Sequence, residues 1–340
     1  MVRFPAADGI RGLAVLIVLC THAAVLFFPR SGPYLSGTGK IGVWLFFVLS
    51  AFLLTSKMMS TGFSLRAISD YIVGRFFRII PIFIIAVAIY MSFGFYGPED
   101  ALKIATLRQG FAHLWTIPVE FKFYFILPFL AFLAVRISDS AGVAMMTLFF
   151  IALIIFIELI SPYYSVPENS VNMFPYLPSF ITGLVAAICL RKGCDNFLNR
   201  YSFALCLFIL TIMVLSSPGM RHWLLSSPMT KDLQHQFIPL SVLWSFFVCA
   251  IISGKGIMGR LMQNRLLSIL GRWSFSIYLM HWMIYIKISD VHNDSFIYAI
   301  LAFALAIFCG YIFYYFIEVN IERFRHRFVA KIFKSNPSPM

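Results

Sequence analysis

Arg11 and His22 stand in an otherwise apolar run that begins Asp8-Gly9-Ile10-Arg11 and ends Cys20-Thr21-His22. A guanidinium can hold an anionic group through its planar fork of donors, and an imidazole can take and return a proton near neutral pH. Ionisable groups are costly in hydrocarbon, so they are expected to face a protein interior or a wet cavity. Eleven steps of about 100° bring His22 back to within roughly 20° of Arg11, so both project from one helix face, roughly 16 Å apart along its axis. The pair would mark two ends of a polar path into the membrane. The plainer alternative is a snorkelling arginine at a helix end and a lone histidine hydrogen-bonded to a neighbouring helix.

Four other features could carry chemistry. Arg75 and Arg78, three residues apart, share a helix face near Arg66 and suit the recognition of a phosphorylated ligand, or equally the anchoring of a helix to lipid phosphates. Glu120 and Tyr124 are one turn apart in the run from His113-Leu114-Trp115 to Tyr124. Glu120 needs a cation or a donor from another helix, with His22 or an arginine as candidates, because Lys122 points almost the other way. Its plainer role is an interhelical hydrogen bond. His281, with Tyr278 one turn earlier, suits bridging between helices as well as catalysis. Ser50 is the weakest signal, since a serine in a spanning helix commonly bonds its own backbone or a neighbour.

The elements that must position these groups are membrane spans. Of the 340 residues, 60% are hydrophobic and only 12% charged, with 38 phenylalanines, more apolar surface than a soluble core of this length uses. Ten candidate spans lie near residues 10–28, 40–58, 74–93, 112–134, 142–160, 173–190, 201–217, 236–253, 267–287 and 296–318, each near the ~20 residues a spanning helix needs. The fold class is therefore all-α, a polytopic bundle of about ten transmembrane helices in a single domain over 1–340 with a basic tail at 319–340. Glu120, Lys122 and two prolines make the 112–134 span a candidate for a broken or partly irregular helix.

With both termini in the cytoplasm, only Arg30, Lys40, Lys103, Arg108, Arg221, Lys231 and Lys287 fall outside, and Lys122 lies in a span; the rest of the 27 basic residues face inward. The net charge of +13 then needs no nucleic acid, because the tail Glu322-Arg323-Phe324-Arg325-His326-Arg327 would lie against anionic headgroups. The first span lacks a clear small-x-small cleavage site and is expected to be retained. Six scattered cysteines show neither a CxxC pair nor a Cys/His cluster at metal spacing, so neither a disulfide framework nor a metal site is expected.

Taken together, Arg11 and His22, the Phe46-Phe47-Val48-Leu49-Ser50 run, Arg75-x-x-Arg78 with Pro81, the stretch from Leu114-Trp115 to Glu120 and Tyr124, and Tyr278-Leu279-Met280-His281 resemble the integral-membrane acyltransferase 3 family. The motifs occur in the family's order from Asp8 to about His281. The resemblance implies transfer of an acyl group, commonly acetyl, from cytoplasmic acyl-CoA to a hydroxyl of a glycan, lipid-linked or small acceptor at or across the membrane. Acyl-CoA is then a substrate, with no permanently bound cofactor.

By that resemblance His22 and Glu120 are catalytic, and Arg11, Arg75 and Arg78 bind the donor. Asp8, Ser50, Trp115, Tyr124 and His281 support them. The absence of a cleavable signal and of disulfide signatures is what a bacterial inner membrane would lead one to expect. The chain departs from the family at Ala51, where glycine is usual, at Lys122, and at Glu318-Val319-Asn320 in place of a frequent Glu-x-Pro. General-base catalysis by His22 would have Glu120 orient its imidazolium; an acyl-enzyme on His22 or Ser50 is the covalent alternative. A proton-coupled transporter or flippase of a lipid-linked sugar would use the same residues as a proton path, and would move protons without consuming thioester. A non-catalytic membrane scaffold is the third class.

Overall fold

A computed structural model describes residues 4–167, 170–193, 200–229 and 237–334. Arg3, Lys231 and Cys194, and residues 335–340 of the expected tail, lie outside the described residues. Within them the chain is helical, with no strand. The α-helices of six or more described residues are α1 (Ala7–Phe27), α2 (Gly39–Thr61), α3 (Leu65–Ser92), α4 (Pro98–Ala105), α5 (Thr116–Ile160), α6 (Leu177–Arg191), α7 (Ser202–Leu215), α8 (Pro218–Leu225), α9 (Phe237–Ile251), α10 (Gly256–Leu261), α11 (Arg265–Ser289), α12 (Phe296–Phe313) and α13 (Val319–Lys334). All ten expected spans fall on helices. By length and apolarity alone, six helical stretches would cross a membrane, or seven if α7 and α8, which meet at 81°, form one bent span.

The difference from ten has three physical sources. One of the six stretches, Ala112–Ser165, contains two expected spans joined at Gly142, whose φ of 88° breaks the helix inside α5. Helix α9 is apolar and 15 residues long within the described residues, which resume at its first residue. Helix α11 is long enough at 25 residues, yet it carries Arg265, Arg272, His281 and Lys287. The anticipated irregularity at the start of the 112–134 span is a 3₁₀ turn over Ala112–Trp115, after which α5 runs on through Pro128.

Helix α1 lies at the centre, packed on α2 along one side and on α11 along the other, with α6 and α9 behind α2 and α12 outside α11. Glycines permit these contacts. A Cβ on Gly9 would stand 1.6 Å from the Met262 carbonyl oxygen, one on Gly12 2.2 Å from that of Leu267, and one on Gly271 1.7 Å from that of Asp8. On the other side, Gly42 would meet the Ala14 oxygen at 2.6 Å, and between α6 and α2 Gly183 would meet the Val48 oxygen at 2.1 Å. Association between spanning helices draws on close packing rather than on water exclusion, which is why small residues occupy the crossings.

Buried polar contacts fix the register. The indole of Trp244 donates to the Ile41 carbonyl at 2.9 Å, and the Tyr90 hydroxyl donates to the Leu279 carbonyl at 3.0 Å while accepting from the Met283 amide at 3.1 Å. Such interhelical bonds contribute about 0.6–2 kcal/mol each in a bilayer. The up-and-down course of the chain gives the bundle two distinct ends. Arg11, Lys57, Arg66, Arg75 and Arg78 gather at one, hereafter the basic end, where an Arg191 guanidinium N–H also donates to the Met59 carbonyl at 2.9 Å. His22, Gly39, His113 and Tyr163 lie toward the other.

Candidate active site

His22 is built into a chain of hydrogen bonds that sets its tautomer. Its Nδ1 lies 2.9 Å from Nε2 of His281, and the two rings are coplanar within 3°. Nδ1 of His281 lies 2.7 Å from the Tyr278 carbonyl oxygen. A carbonyl only accepts, so His281 Nδ1 carries the hydrogen and its Nε2 presents a lone pair. His22 Nδ1–H donates to that lone pair, and His22 Nε2 is left as the basic nitrogen. Gly39 stands against this nitrogen: a Cβ there would be 3.0 Å from His22 Nε2.

The basic nitrogen belongs to the larger of two adjoining cavities. This first cavity, about 780 Å³, is lined by His22, Gly39, Lys40, His113, Trp115, Tyr163, Tyr176 and Trp282 among others, and by the loops after α1 and before α5. Aromatic rings dominate its wall. Trp115 stacks on Tyr176 with centroids 4.7 Å apart, and Trp282 stands edge-on to His22 at 5.0 Å. Cavities of this size accommodate small molecules or parts of larger ones.

The second cavity opens toward the basic end and is slender, about 100 Å³, lined by Arg11, Ser50, Arg75, Arg78, Glu120 and Tyr124 together with apolar side chains. Val43 and Tyr278 line both cavities, so the two meet back to back at these side chains. The Tyr278 hydroxyl is pinned there, donating to the His113 carbonyl at 2.7 Å and accepting from Thr116 at 3.0 Å. Arg11 pairs with Asp8 at 3.2 Å, and Arg78 pairs at 3.4 Å with Glu318, whose other oxygen accepts from Ser276 at 2.7 Å. Arg75 lies over the Tyr124 ring, 5.9 Å from its centroid, within cation–π range.

Arg11, His22, Ser50, Arg75, Arg78, Trp115, Glu120 and Tyr124 each line one of the two cavities, while Asp8 and His281 touch the lining residues Arg11 and His22. The anticipated pairing of Glu120 with His22 or an arginine is replaced. Glu120 accepts from Ser50 at 2.8 Å and from Tyr124, and the Ser50 and Tyr124 hydroxyl oxygens lie 2.9 Å apart, so either hydroxyl can turn its one hydrogen to the other instead of to Glu120. The cause is depth: α5 starts beside Tyr278 and carries Glu120 about one turn further toward the basic end, into the slender cavity. His22 finds its partner on α11 instead. Lys122 points away and donates to the Val171 carbonyl at 2.9 Å.

Three members of the site were passed over in the sequence. His113, 5% exposed, packs against His281 with centroids 4.8 Å apart, and its Nδ1 is buried with no hydrogen-bond partner. Glu318, 3% exposed, ties α12's end to Arg78. Both are ionisable groups in apolar surroundings, and the rule that drew attention to His22 would have found them. Gly39 had no signal of its own, because its importance comes from what stands beside it.

Comparison with known proteins agrees with the motifs. The family model described as an acyltransferase domain, acyltransferase 3, matches residues 4–315. O-acetyltransferase OatA of Staphylococcus aureus, in strains NCTC 8325 / PS 47, COL and MRSA252, is 22% identical over 369 aligned positions, covering 94% of this chain. The chain spans 57% of the length of these relatives. No solved structure matches it. With the motifs, the helical membrane bundle and a family match over nearly its whole length, the chain belongs to the acyltransferase 3 family.

Proposed function

We propose that the chain transfers an acyl group, acetyl being the first to test, from acyl-CoA entering at the basic end to a hydroxyl of a glycan or related acceptor held in the larger cavity. The observation that carries this reading is the committed tautomer of His22, with its basic Nε2 in that cavity, close to where the slender one begins. Arg11, Arg75 and Arg78 supply the charge-assisted bonds that negative phosphate oxygens require. Ser50, Glu120 and Tyr124 line the passage the donor's flexible arm would follow toward Tyr278 and Val43.

In the reaction, His22 Nε2 takes the acceptor's hydroxyl proton as that oxygen attacks the thioester carbon. The imidazolium so formed is steadied by its Nδ1–H bond to His281. When the tetrahedral intermediate collapses, the C–S bond breaks and the thiolate leaves with the proton from His22, giving an ester and free CoA. Proton transfer of this kind contributes about 10²–10⁴-fold. The aromatic wall of the larger cavity offers flat faces on which sugar rings can rest. Family membership favours group transfer over the carrier alternative, and the name of the relatives favours acetyl. We further propose a bacterial plasma membrane with the basic end in the cytoplasm, as the distribution of arginines favours.

The test follows thioester loss from labelled acetyl-CoA in nanodiscs supplied with candidate acceptors. Wild type is expected to release CoA, while His22→Ala and the double variant Arg75→Ala/Arg78→Ala do not. Absence of both binding and turnover of acetyl-CoA in folded wild type would overturn the donor assignment.

A further inference from the structure

Tyr278 stands where the two cavities meet, and with Val43 it lines both. The residue is 6% exposed, and its ring lies among those of His113, His281 and Phe46, with centroids 5.1, 5.7 and 6.4 Å away. An acyl arm that follows the slender cavity from Arg75 and Arg78 has to pass between Val43 on α2 and Tyr278 on α11 to reach His22. Val43 is branched at Cβ and has little rotamer freedom in a helix, so the tyrosine is the side that can move. The larger cavity, about 780 Å³, gives its ring room to swing into.

One hydroxyl holds the ring in place. It donates to the His113 carbonyl at 2.7 Å, and the Thr116 hydroxyl lies 3.0 Å away as its donor. Both partners belong to the entry into α5, a 3₁₀ turn over Ala112–Trp115 followed by Thr116 at the first position of the helix. That turn starts under strain, because Ala112, which is not a glycine, has a φ of 41° in the left-handed region. His113 and Trp115 of the same turn line the larger cavity. A molecule seated against them therefore bears on the segment that anchors the Tyr278 hydroxyl. The backbone of Tyr278 has its own anchor: its carbonyl accepts from His281 Nδ1 at 2.7 Å, so the tautomer of His22 survives movement of the ring.

We infer that Tyr278 is a gate between the cavities, latched by its hydroxyl, and that it selects the acceptor hydroxyl over water. The inference rests on the reading of the chain as an acyltransferase whose donor enters at the basic end. With the ring latched, the thioester is kept on the far side of Tyr278 from His22. With the ring released and no acceptor present, His22 takes a proton from water as the water oxygen bonds to the acyl carbon. The C–S bond then breaks, the thiolate receives that proton, and acetic acid and CoA leave. Closure of an active site protects reactive groups from such side reactions.

Two measurements test the gate. The first follows hydrolysis of acetyl-CoA in nanodiscs without acceptor. Tyr278→Phe, which keeps the ring and removes the latch, is expected to hydrolyse it about tenfold faster than wild type, and Thr116→Val, which removes one of the two bonds, about threefold faster. A role in packing alone would lower consumption rather than raise it, so hydrolysis that Tyr278→Phe leaves unchanged or slows overturns the gate. The second measurement needs no donor. In proteoliposomes of protein whose native cysteines have been replaced, a small impermeant thiol reagent is applied from the larger-cavity side to Ser50→Cys, at a position lining the slender cavity. Adding Tyr278→Ala is expected to speed labelling from that side at least about tenfold, because labelling follows the population of open passages. A rate that Tyr278→Ala leaves unchanged overturns the gate. Failure of wild type to consume acetyl-CoA with any acceptor falls instead on the donor assignment, and the labelling result still decides the gate.

Discussion

At the scale of single residues, the proposed reaction turns on two nitrogens of one imidazole. His22 Nδ1 is spent on His281 and Nε2 is left for chemistry. His22→Ala should therefore lower turnover by about 10²–10⁴-fold while the protein stays folded. Gly39→Ala separates geometry from stability: the added methyl meets His22 Nε2 at 3.0 Å, so turnover should fall at least about tenfold with little change in the thermal unfolding midpoint. Unimpaired turnover in that variant would mean that the acceptor does not approach His22 from the Gly39 side. The sequence showed which residues could do chemistry, because an arginine, a histidine and a glutamate are conspicuous in apolar runs. It did not show their partners. His22 and His281 are 259 residues apart, and Glu120 reaches Ser50 across 70, separations over which no periodicity speaks.

At the scale of elements, α1 is held between α2 and α11 by glycines that let backbones touch. Gly271→Val would drive side-chain atoms into the Asp8 carbonyl and part α1 from α11. A loss of about 3 kcal/mol or more is expected, read as a lower unfolding midpoint in detergent together with lost turnover. Gly97→Ala is the matching control, since no neighbour lies within 4 Å of its added Cβ; a change within about 0.5 kcal/mol is expected there. Equal behaviour of the two variants would refute close backbone contact as the reason for Gly271. Each of the ten hydrophobic runs falls on a helix, because apolarity over ~20 residues is a strong local signal, although six or seven of the helical stretches qualify as spans by length and apolarity. The runs did not reveal that two of those segments are one helix broken at Gly142, because helix breaks depend on single backbone angles and neighbouring packing.

For the whole molecule, the proposed reaction would be divided between two cavities toward opposite ends of the bundle, which among the described residues share Val43 and Tyr278. Charge counting along the chain anticipated the basic end, since Arg11, Arg75 and Arg78 all come from its side of the bundle. The larger cavity was not legible, because it is assembled from loops and helix ends far apart in the chain. A consequence concerns sidedness. Cysteines placed at Ser36, on the larger cavity, and at Ser64, near the basic end, should react with an impermeant thiol reagent from opposite sides of the membrane, and reaction of both from one side would refute the arrangement.

The most direct measurement of the central claim uses proteoliposomes whose orientation has been fixed by those two cysteines. Labelled acetyl-CoA is supplied to one face and a hydroxylated glycan acceptor is confined to the other. Acetylated acceptor is expected only when acetyl-CoA meets the basic end, and none with His22→Ala. Acetylation from acetyl-CoA supplied solely to the opposite face, or undiminished acetylation by His22→Ala, would contradict it.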